Sequence, residues 1–231
     1  MIYVLSDIHG EYGLLRRMLD LIKFSDSDTL ISCGDIIDKG QESVRLLKFI
    51  AEMPNARCIN GNHEYTFLKA YWGLMSESPS DFGYVLKELQ RYFPHDGRLL
   101  DWETVDWIES RPYYIEEKDF ICVHAGAPLD RDNRLLPLES ATREQLVYDR
   151  NFKSPDLEVK DGKCVFFGHT PTSYLLNEGQ SKIIAYRRKQ ANAGGDKVTD
   201  FYKIHLDTGA WLNGVLGCFC VDTCRAFYVK K

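Results

Sequence analysis

Short apolar runs alternate with helical patterns over the first 65 residues, and this alternation restricts the possible folds more than any other feature. The runs at Ile2–Leu5 and Thr29–Ser32 are typical of buried strands, and a third run begins at Arg57. Between these runs, apolar residues recur at helical spacing. The order strand–helix–strand–helix–strand predicts a parallel sheet with right-handed crossovers, and therefore an α/β fold.

The remainder of the chain predicts two further regions. From about residue 65 to 111 the pattern is helical and rich in aromatic residues, which predicts a helical insertion or cap. Residues 182–229 contain short alternating runs separated by glycine-rich turns, which predicts an antiparallel meander. Between these regions, PYYIEEKDFICVHAG is typical of a hairpin that leads into a strand. Because no linker interrupts the pattern, we expect a single domain over residues 1–231.

Composition argues against several classes of protein. A net charge of −5 and a pI near 5.7 argue against general nucleic-acid binding. No apolar run approaches the roughly 20 residues needed to span a bilayer, so we expect no membrane partner. The N-terminal residues lack the basic region of a signal peptide and include Asp7, which predicts a cytoplasmic location.

Three of the seven cysteines cluster in GCFCVDTC as Cys218, Cys220 and Cys224. Their C-x-C-x3-C spacing differs from the usual zinc-binding pairs, and no fourth ligand is evident nearby. We interpret them as reduced thiols on a C-terminal hairpin, with a metal or redox site as the alternative.

Polar residues recur where the predicted strands end. In open α/β sheets the carboxyl ends of the strands line the binding crevice, so these residues are expected to meet. Four of the six histidines lie at such junctions, and a glycine accompanies each one. The junction motifs are Asp7-Ile8-His9-Gly10, Gly34-Asp35-Ile36-Ile37-Asp38-Lys39-Gly40, Gly61-Asn62-His63-Glu64, His124-Ala125-Gly126 and Gly168-His169-Thr170.

The side chains in these motifs predict a metal site. Buried carboxylates and imidazoles are costly together unless bound cations compensate them. The mixture of imidazole, carboxylate and amide suits manganese, iron, cobalt, nickel or zinc. Two aspartates, three histidines and one amide are too many ligands for one ion but suit two ions that share a carboxylate. Two metals roughly 3.5–4 Å apart are typical of displacement at phosphorus.

The five motifs together resemble the signature of the calcineurin-like metallophosphoesterases. Their detailed form, above all Asn-His-Glu and Gly-Asp-x-x-Asp, is similar to that of the PPP-type serine/threonine protein phosphatases, particularly the compact phage and bacterial members. The resemblance extends from Asp7 to Gly209. It implies an αββα sandwich that carries a dinuclear metal centre.

The resemblance also implies the metal ligands. Asp7, His9 and Asp35 would hold the first ion, and a hydroxide between the ions would attack phosphorus. The cofactors would be two divalent ions, manganese in the first place, with iron, zinc, nickel or cobalt as alternatives. The ligands of the second ion would be Asp35, which bridges the two ions, Asn62, His124 and His169.

The same resemblance implies the proton donor and the phosphate-binding residues. His63 would protonate the departing oxygen, with Asp38 orienting its ring. Lys39 stands where the family carries an arginine, and a lysine lacks the planar fork that grips two oxygens. Arg150, in Tyr148-Asp149-Arg150, would be the phosphate clamp, with Arg143 as its substitute. Glu64 is a candidate for contacting a metal ligand without binding the metal itself.

These residues are compatible with several functions. The leading hypothesis is a metal-dependent serine/threonine phosphoprotein phosphatase that acts on a phosphorylated protein or a small phosphoester. An enzyme alternative is a hydrolase of dinucleoside polyphosphates such as diadenosine tetraphosphate, whose members usually carry Asn-His-Asp where this chain has Asn62-His63-Glu64. A catalytically inactive metal-holding binding protein and a flavodoxin-like domain with incidental histidines are the alternatives outside catalysis.

Overall fold

The computed structural model of the chain describes residues 1–76, 83, 87, 102–160, 162–176, 180–189 and 196–231. The strands are β1 (Ile2–Leu5), β2 (Thr29–Ser32), β3 (Ala56–Cys58), β4 (Tyr114–Glu116), β5 (Phe120–Val123), β6 (Cys164–Phe167), β7 (Ile184–Arg187), β8 (Phe201–His205), β9 (Val215–Cys220) and β10 (Arg225–Lys230). The helices are α1 (Tyr12–Leu21), α2 (Ser43–Ala51), α3 (Asn62–Ser76), α4 (Trp102–Glu109), α5 (Arg143–Tyr148) and α6 (Ala210–Asn213), with 3-10 turns at Leu138–Ser140, Thr172–Tyr174 and Val198–Asp200.

The strands form two five-stranded sheets. The first has the order β10-β9-β1-β2-β3, and its β1, β2 and β3 are parallel, as the alternation in the first 65 residues predicts. The second has the order β4-β5-β6-β8-β7, in which β5, β6 and β8 are parallel. The predicted hairpin is confirmed, because β4 pairs antiparallel with β5.

Side-chain alternation along the central strands produces a layered sandwich. In β1, Tyr3 and Leu5 pack against the first helices, whereas Val4 packs between the sheets. In β6, Phe166 lies between the sheets and Phe167 packs on the outer face, where α5 lies. Both faces of these strands are buried, which explains why they are apolar throughout rather than alternating with polar residues. The mixed α/β sandwich implied by the resemblance is therefore the observed fold.

The C-terminal region departs from the predicted meander. Strand β8 pairs with β6 and β7, whereas β9 pairs with β1 and β10, so the two hairpins belong to different sheets. The short helix α6 connects them. Turn residues predict a hairpin but do not specify which sheet it joins. Cys218 and Cys220 are buried in β9, and Cys224 lies in the turn between β9 and β10, so the predicted hairpin is confirmed, whereas the reduced state of the thiols stays a prediction.

The predicted insertion at 65–111 is bordered by α3, which begins earlier, at Asn62, and by α4. Apart from positions 83 and 87, residues 77–101 lie outside the described residues, so the cap stays a prediction, as does the single-domain organisation. In the described part of the chain, no helix has the length and apolarity required to cross a membrane.

Candidate metal centre

The structure brings the polar strand ends of both sheets together. Asp7 and His9 follow β1, and Asp35 follows β2. His124 follows β5 in the other sheet, and His169 follows β6. These five residues are buried. Asn62 and His63, in the first turn of α3, are half-buried. The cluster therefore lies where the carboxyl ends of the two sheets meet.

The backbone at these strand ends is left-handed at several residues other than glycine. Such conformations cost of order 1–3 kcal/mol each and persist where the surrounding structure holds them, typically at functional sites. They let the chain turn sharply, so that side chains on neighbouring residues point into one space. The residues of the predicted site with positive φ are Asp7, His9, Asp35, Asp38, Lys39 and His169.

Two glycines permit the close approach of the carboxylates. A Cβ atom on Gly61 would lie 2.2 Å from Oδ1 of Asp35, and one on Gly168 would lie 2.0 Å from Oδ2 of Asp7. Both distances are far inside van der Waals contact. The glycine before Asn62 therefore makes room for the carboxylate of another strand end.

The carboxylate of Asp35 occupies the centre of the cluster. Its Oδ2 lies 3.4 Å from Nε2 of His124, 3.6 Å from Nε2 of His9 and 3.7 Å from Nε2 of His63. Three imidazole nitrogens thus surround one carboxylate oxygen just beyond hydrogen-bond distance.

Two of these imidazoles are oriented by backbone carbonyls. The Nδ1 atom of His9 lies 3.0 Å from the carbonyl oxygen of Ile37, and Nδ1 of His124 lies 2.9 Å from that of Cys33. A carbonyl can only accept, so Nδ1 carries the proton in both rings and Nε2 offers a lone pair. This is the usual arrangement behind metal-binding histidines.

Asn62 faces His124 and His169. Its Oδ1 lies 2.9 Å from Nε2 of His124 and 2.8 Å from Nδ1 of His169. The backbone N–H of His169 donates to Oδ2 of Asp7 at 3.0 Å, and Ser6 Oγ donates to the same oxygen at 2.5 Å. The other oxygen of Asp7 and Nε2 of His169 are buried without a hydrogen-bond partner among the described residues.

The electrostatics of the cluster suit bound cations. Burial lowers the pKa of His9 to about 4 and the pKa of His169 to about 3, so both rings are neutral near pH 7. Burial would raise the pKa of Asp35, but the imidazoles of His124 and His63 outweigh it and hold this pKa below its usual range. Burial also raises the pKa of Asp7. Neutral imidazoles, carboxylates and unpartnered buried polar atoms fit divalent metal ions.

Two groups of candidate ligand atoms have Asp35 in common, and its sharing by two ions stays a prediction. One group is Asp35, His124 and His169, and the other is His9, Asp35 and His63. The second group contains His63, where the sequence predicts Asp7 as the ligand. Oδ1 of Asp7 lies 3.9 Å from Nε2 of His9, so it also borders this space. The division of roles between Asp7 and His63 stays a prediction.

His63 points away from its neighbour Asn62. Its Nδ1 lies 2.7 Å from Oδ2 of Asp38, and its ring meets the ring of His9 edge-on at 4.8 Å. Burial lowers the pKa of His63, but the carboxylates of Asp35 and Asp38 outweigh it, and the net shift is upward. A protonated imidazole held by a carboxylate is suited to donate a proton.

The sequence leaves the role of Glu64 open, and the structure shows that its carboxylate accepts backbone hydrogen bonds. Its Oε2 accepts the backbone N–H groups of Asp35 and Gly61 at 2.9 and 2.8 Å. Its Oε1 accepts those of Ile36 and Ile37 at 2.8 and 3.1 Å. The buried carboxylate thus ties the loop after β2 to the start of α3. Ser6, next to Asp7 in the chain, is a second supporting residue absent from the sequence prediction.

The predicted phosphate-binding residues lie at the exposed side of the cluster. Lys39 is exposed, but its Nζ lies 3.0 Å from Nε2 of His9 and thus reaches the centre. Arg150 is exposed and places Nη1 3.5 Å from Oγ1 of Thr170, the residue after His169. Arg143 stands over the ring of Tyr113 at 5.1 Å instead.

Comparison with known proteins relates the chain to phosphoesterases. The sequence model of the calcineurin-like phosphoesterases matches residues 1–208. A symmetrical bis(5'-nucleosyl)-tetraphosphatase of Methylococcus capsulatus is 34% identical over 130 residues, which cover 55% of this chain and 43% of that protein. One from Salmonella paratyphi C is 31% identical over 128 residues, which cover 54% and 42%. The matches thus span less than half of these relatives' length.

Solved structures share the fold at lower sequence identity. A structure assigned as a candidate diadenosine tetraphosphatase superposes with a TM-score of 0.68 at 17% identity and covers 99% of this chain and 92% of that one. A mutant cold-active protein tyrosine phosphatase superposes with a TM-score of 0.59 at 18% identity and covers 99% and 77%. At such identities these likenesses concern the fold alone.

Proposed function

Because the chain belongs to the calcineurin-like phosphoesterase family, we propose that it is a metal-dependent hydrolase of dinucleoside polyphosphates. The observation that carries the hydrolytic chemistry is the arrangement of three imidazole Nε2 atoms 3.4–3.7 Å from one oxygen of Asp35. The phosphoprotein phosphatase favoured by the sequence motifs becomes the second candidate, because the bacterial relatives are named as tetraphosphatases.

The cluster would hold two divalent ions, with Asp35 in both sets of ligands. Asp7 and His9 would complete the first set, and manganese remains the first expectation. Ions bound there polarise phosphoryl oxygens and lower the pKa of water. The second set would be Asp35, Asn62, His124 and His169.

Other side chains would protonate the leaving group and bind the phosphates of the substrate. His63, held by Asp38 at 2.7 Å, would protonate the oxygen of the departing nucleotide. Arg150 and Lys39 border the cluster and would bind non-reacting phosphate oxygens. Arg150 can offer two parallel N–H groups, whereas Lys39 offers a point charge.

The substrate is supported by the names of the relatives, of which this chain matches less than half. Cleavage of a dinucleoside tetraphosphate into equal halves would release two nucleoside diphosphates. One observation favours the second candidate: Glu64 completes Asn-His-Glu, whereas dinucleotide hydrolases usually carry Asn-His-Asp. Glu64 reaches four backbone N–H groups, a role that concerns the shape of the site more than the substrate.

Parallel turnover assays with Mn²⁺ test the proposal. Diadenosine tetraphosphate is compared with a phosphoserine peptide at equal concentrations, and Asp35→Asn serves as the inactive control. We expect a higher kcat/KM for the dinucleotide. A higher value for the peptide would support the phosphatase, and no metal-dependent turnover of either substrate would support a metal-holding binding protein.

A further inference from the structure

A cavity of about 510 Å³ is lined by α3, by the end of α4 with the segment that follows it, and by α5. Three of its lining residues, Tyr65, Lys69 and Trp72, share one face of α3, because positions three and four apart are neighbours on a helix. Arg111 and Tyr113 line it from the segment after α4, and Arg143 lines it from α5.

A series of aromatic contacts connects this cavity to the metal centre. The ring of Tyr113 meets that of Tyr65 edge-on at 6.0 Å, and Tyr65 meets Tyr148 at 6.1 Å. Tyr148 in turn meets the ring of His169 at 6.3 Å. Tyr148 is 41% exposed. The rings of Tyr65 and Tyr148 therefore lie between the cavity and His169.

The cavity combines cations with aromatic rings. Lys69 stands over the ring of Tyr65 at 5.3 Å, and Arg143 stands over the ring of Tyr113 at 5.1 Å. Arg111 adds a third cation to the lining.

Two carboxylates offset these cations in part. Glu109 lines the cavity, and Glu144 accepts a hydrogen bond from the hydroxyl of Tyr65. The cationic excess contrasts with the net charge of −5 of the whole chain.

We propose that this cavity binds one nucleoside end of the substrate. A nucleobase is flat and stacks on aromatic side chains, and the exposed ring of Trp72, which lines the cavity, is a suitable partner. The phosphates next to the nucleoside would then contact Lys69 and Arg143. The volume lies within the range of small-molecule sites, about 300–1,000 Å³.

The inference rests on the proposed function, since the ligand is a part of its substrate, but it is tested by binding alone. Adenosine diphosphate is titrated into the Mn²⁺-loaded protein by calorimetry. Arg143→Ala is expected to weaken binding about tenfold, as for a contact of about 1.4 kcal/mol. Trp72→Ala is expected to weaken it roughly 5- to 160-fold, because the base would lose its stacking partner. The matched control is Arg16→Ala, an exposed arginine over the ring of Phe49 at 5.2 Å, remote from the cavity lining.

The outcomes separate this inference from the proposed function. Adenosine diphosphate that binds equally well to the wild type, Arg143→Ala and Trp72→Ala overturns the nucleoside site, even if diadenosine tetraphosphate is hydrolysed. A phosphoserine peptide that depends on Arg143, when adenosine diphosphate does not, overturns it in favour of a peptide site. Conversely, nucleotide binding sensitive to Arg143 without dinucleotide turnover supports the site and refutes the proposed function. Thermal melting of each variant confirms that it is folded.

Discussion

Replacing Glu64 by glutamine tests whether one buried carboxylate holds the metal centre in shape. Each oxygen of Glu64 accepts two backbone N–H groups, and the residue is only 1% exposed. The amide of a glutamine has one acceptor oxygen, so two N–H groups lose their acceptor in either orientation. Those two groups would instead face the NH₂ of the amide, which can only donate.

The expected loss follows from the number of bonds. A hydrogen bond to a charged group contributes about 1.5–3 kcal/mol, so two lost bonds amount to about 3–6 kcal/mol. That is a large part of the roughly 5–15 kcal/mol by which a domain is stable. Binding of Mn²⁺ is also expected to weaken, because the loop that carries Asp35 loses part of its anchor at Glu64.

Urea unfolding followed by circular dichroism measures the stability term, and equilibrium dialysis measures Mn²⁺ binding. The matched control is Glu103→Gln, an exposed glutamate in the first turn of α4, where a change within about 0.5 kcal/mol is expected. A loss below about 1 kcal/mol in Glu64→Gln, with unchanged Mn²⁺ binding, would refute the anchoring role assigned to this carboxylate.

Further predictions concern the metals, the proton donor, the phosphate contacts and a buried lysine. Chelation is expected to abolish turnover of p-nitrophenyl phosphate and added Mn²⁺ to restore it, and full activity in metal-free protein would disprove the two-metal hypothesis. His63→Asn is expected to lower kcat roughly 10²–10⁴-fold with metal content retained, whereas Asn62→Ala is expected to lower metal content, both measured by steady-state kinetics and metal analysis. Arg150→Ala is expected to reduce kcat/KM more than Lys39→Ala, while Lys39→Arg keeps activity; an unchanged Arg150→Ala would place the clamp elsewhere. Burial lowers the pKa of Lys203 from its usual 10.5 to about 8, so between these pH values the unfolded chain binds more protons than the folded one. The free energy of unfolding is therefore expected to rise with pH from about 8 to 10.5, and Lys203→Met is expected to lack this rise in urea titrations.

The convergence of the site residues was predictable because parallel strands share a direction. Asp7, Asp35 and Asn62 each follow one of the three parallel strands of the first sheet, so they must lie at one edge of that sheet. The same rule applies to His124 and His169 in the second sheet. The direction of each side chain was harder to predict from the sequence, since it depends on dihedral angles such as the positive φ of Asp35 and His169. These angles follow from contacts that are distant in sequence.

Local patterns by themselves determined the strand types, the junction motifs and the kinds of candidate ligand they carry, because each depends on residues that are close in the chain. Tertiary structure alone decided that β9 joins the first sheet rather than continuing a meander with β8. It also decided that Glu64 accepts the N–H groups of a loop almost 30 residues earlier, and that Tyr65 and Tyr113 share one cavity. Such partners are selected by the packing of the whole chain, since burial and hydrogen bonding between distant segments depend on every element that lies between them.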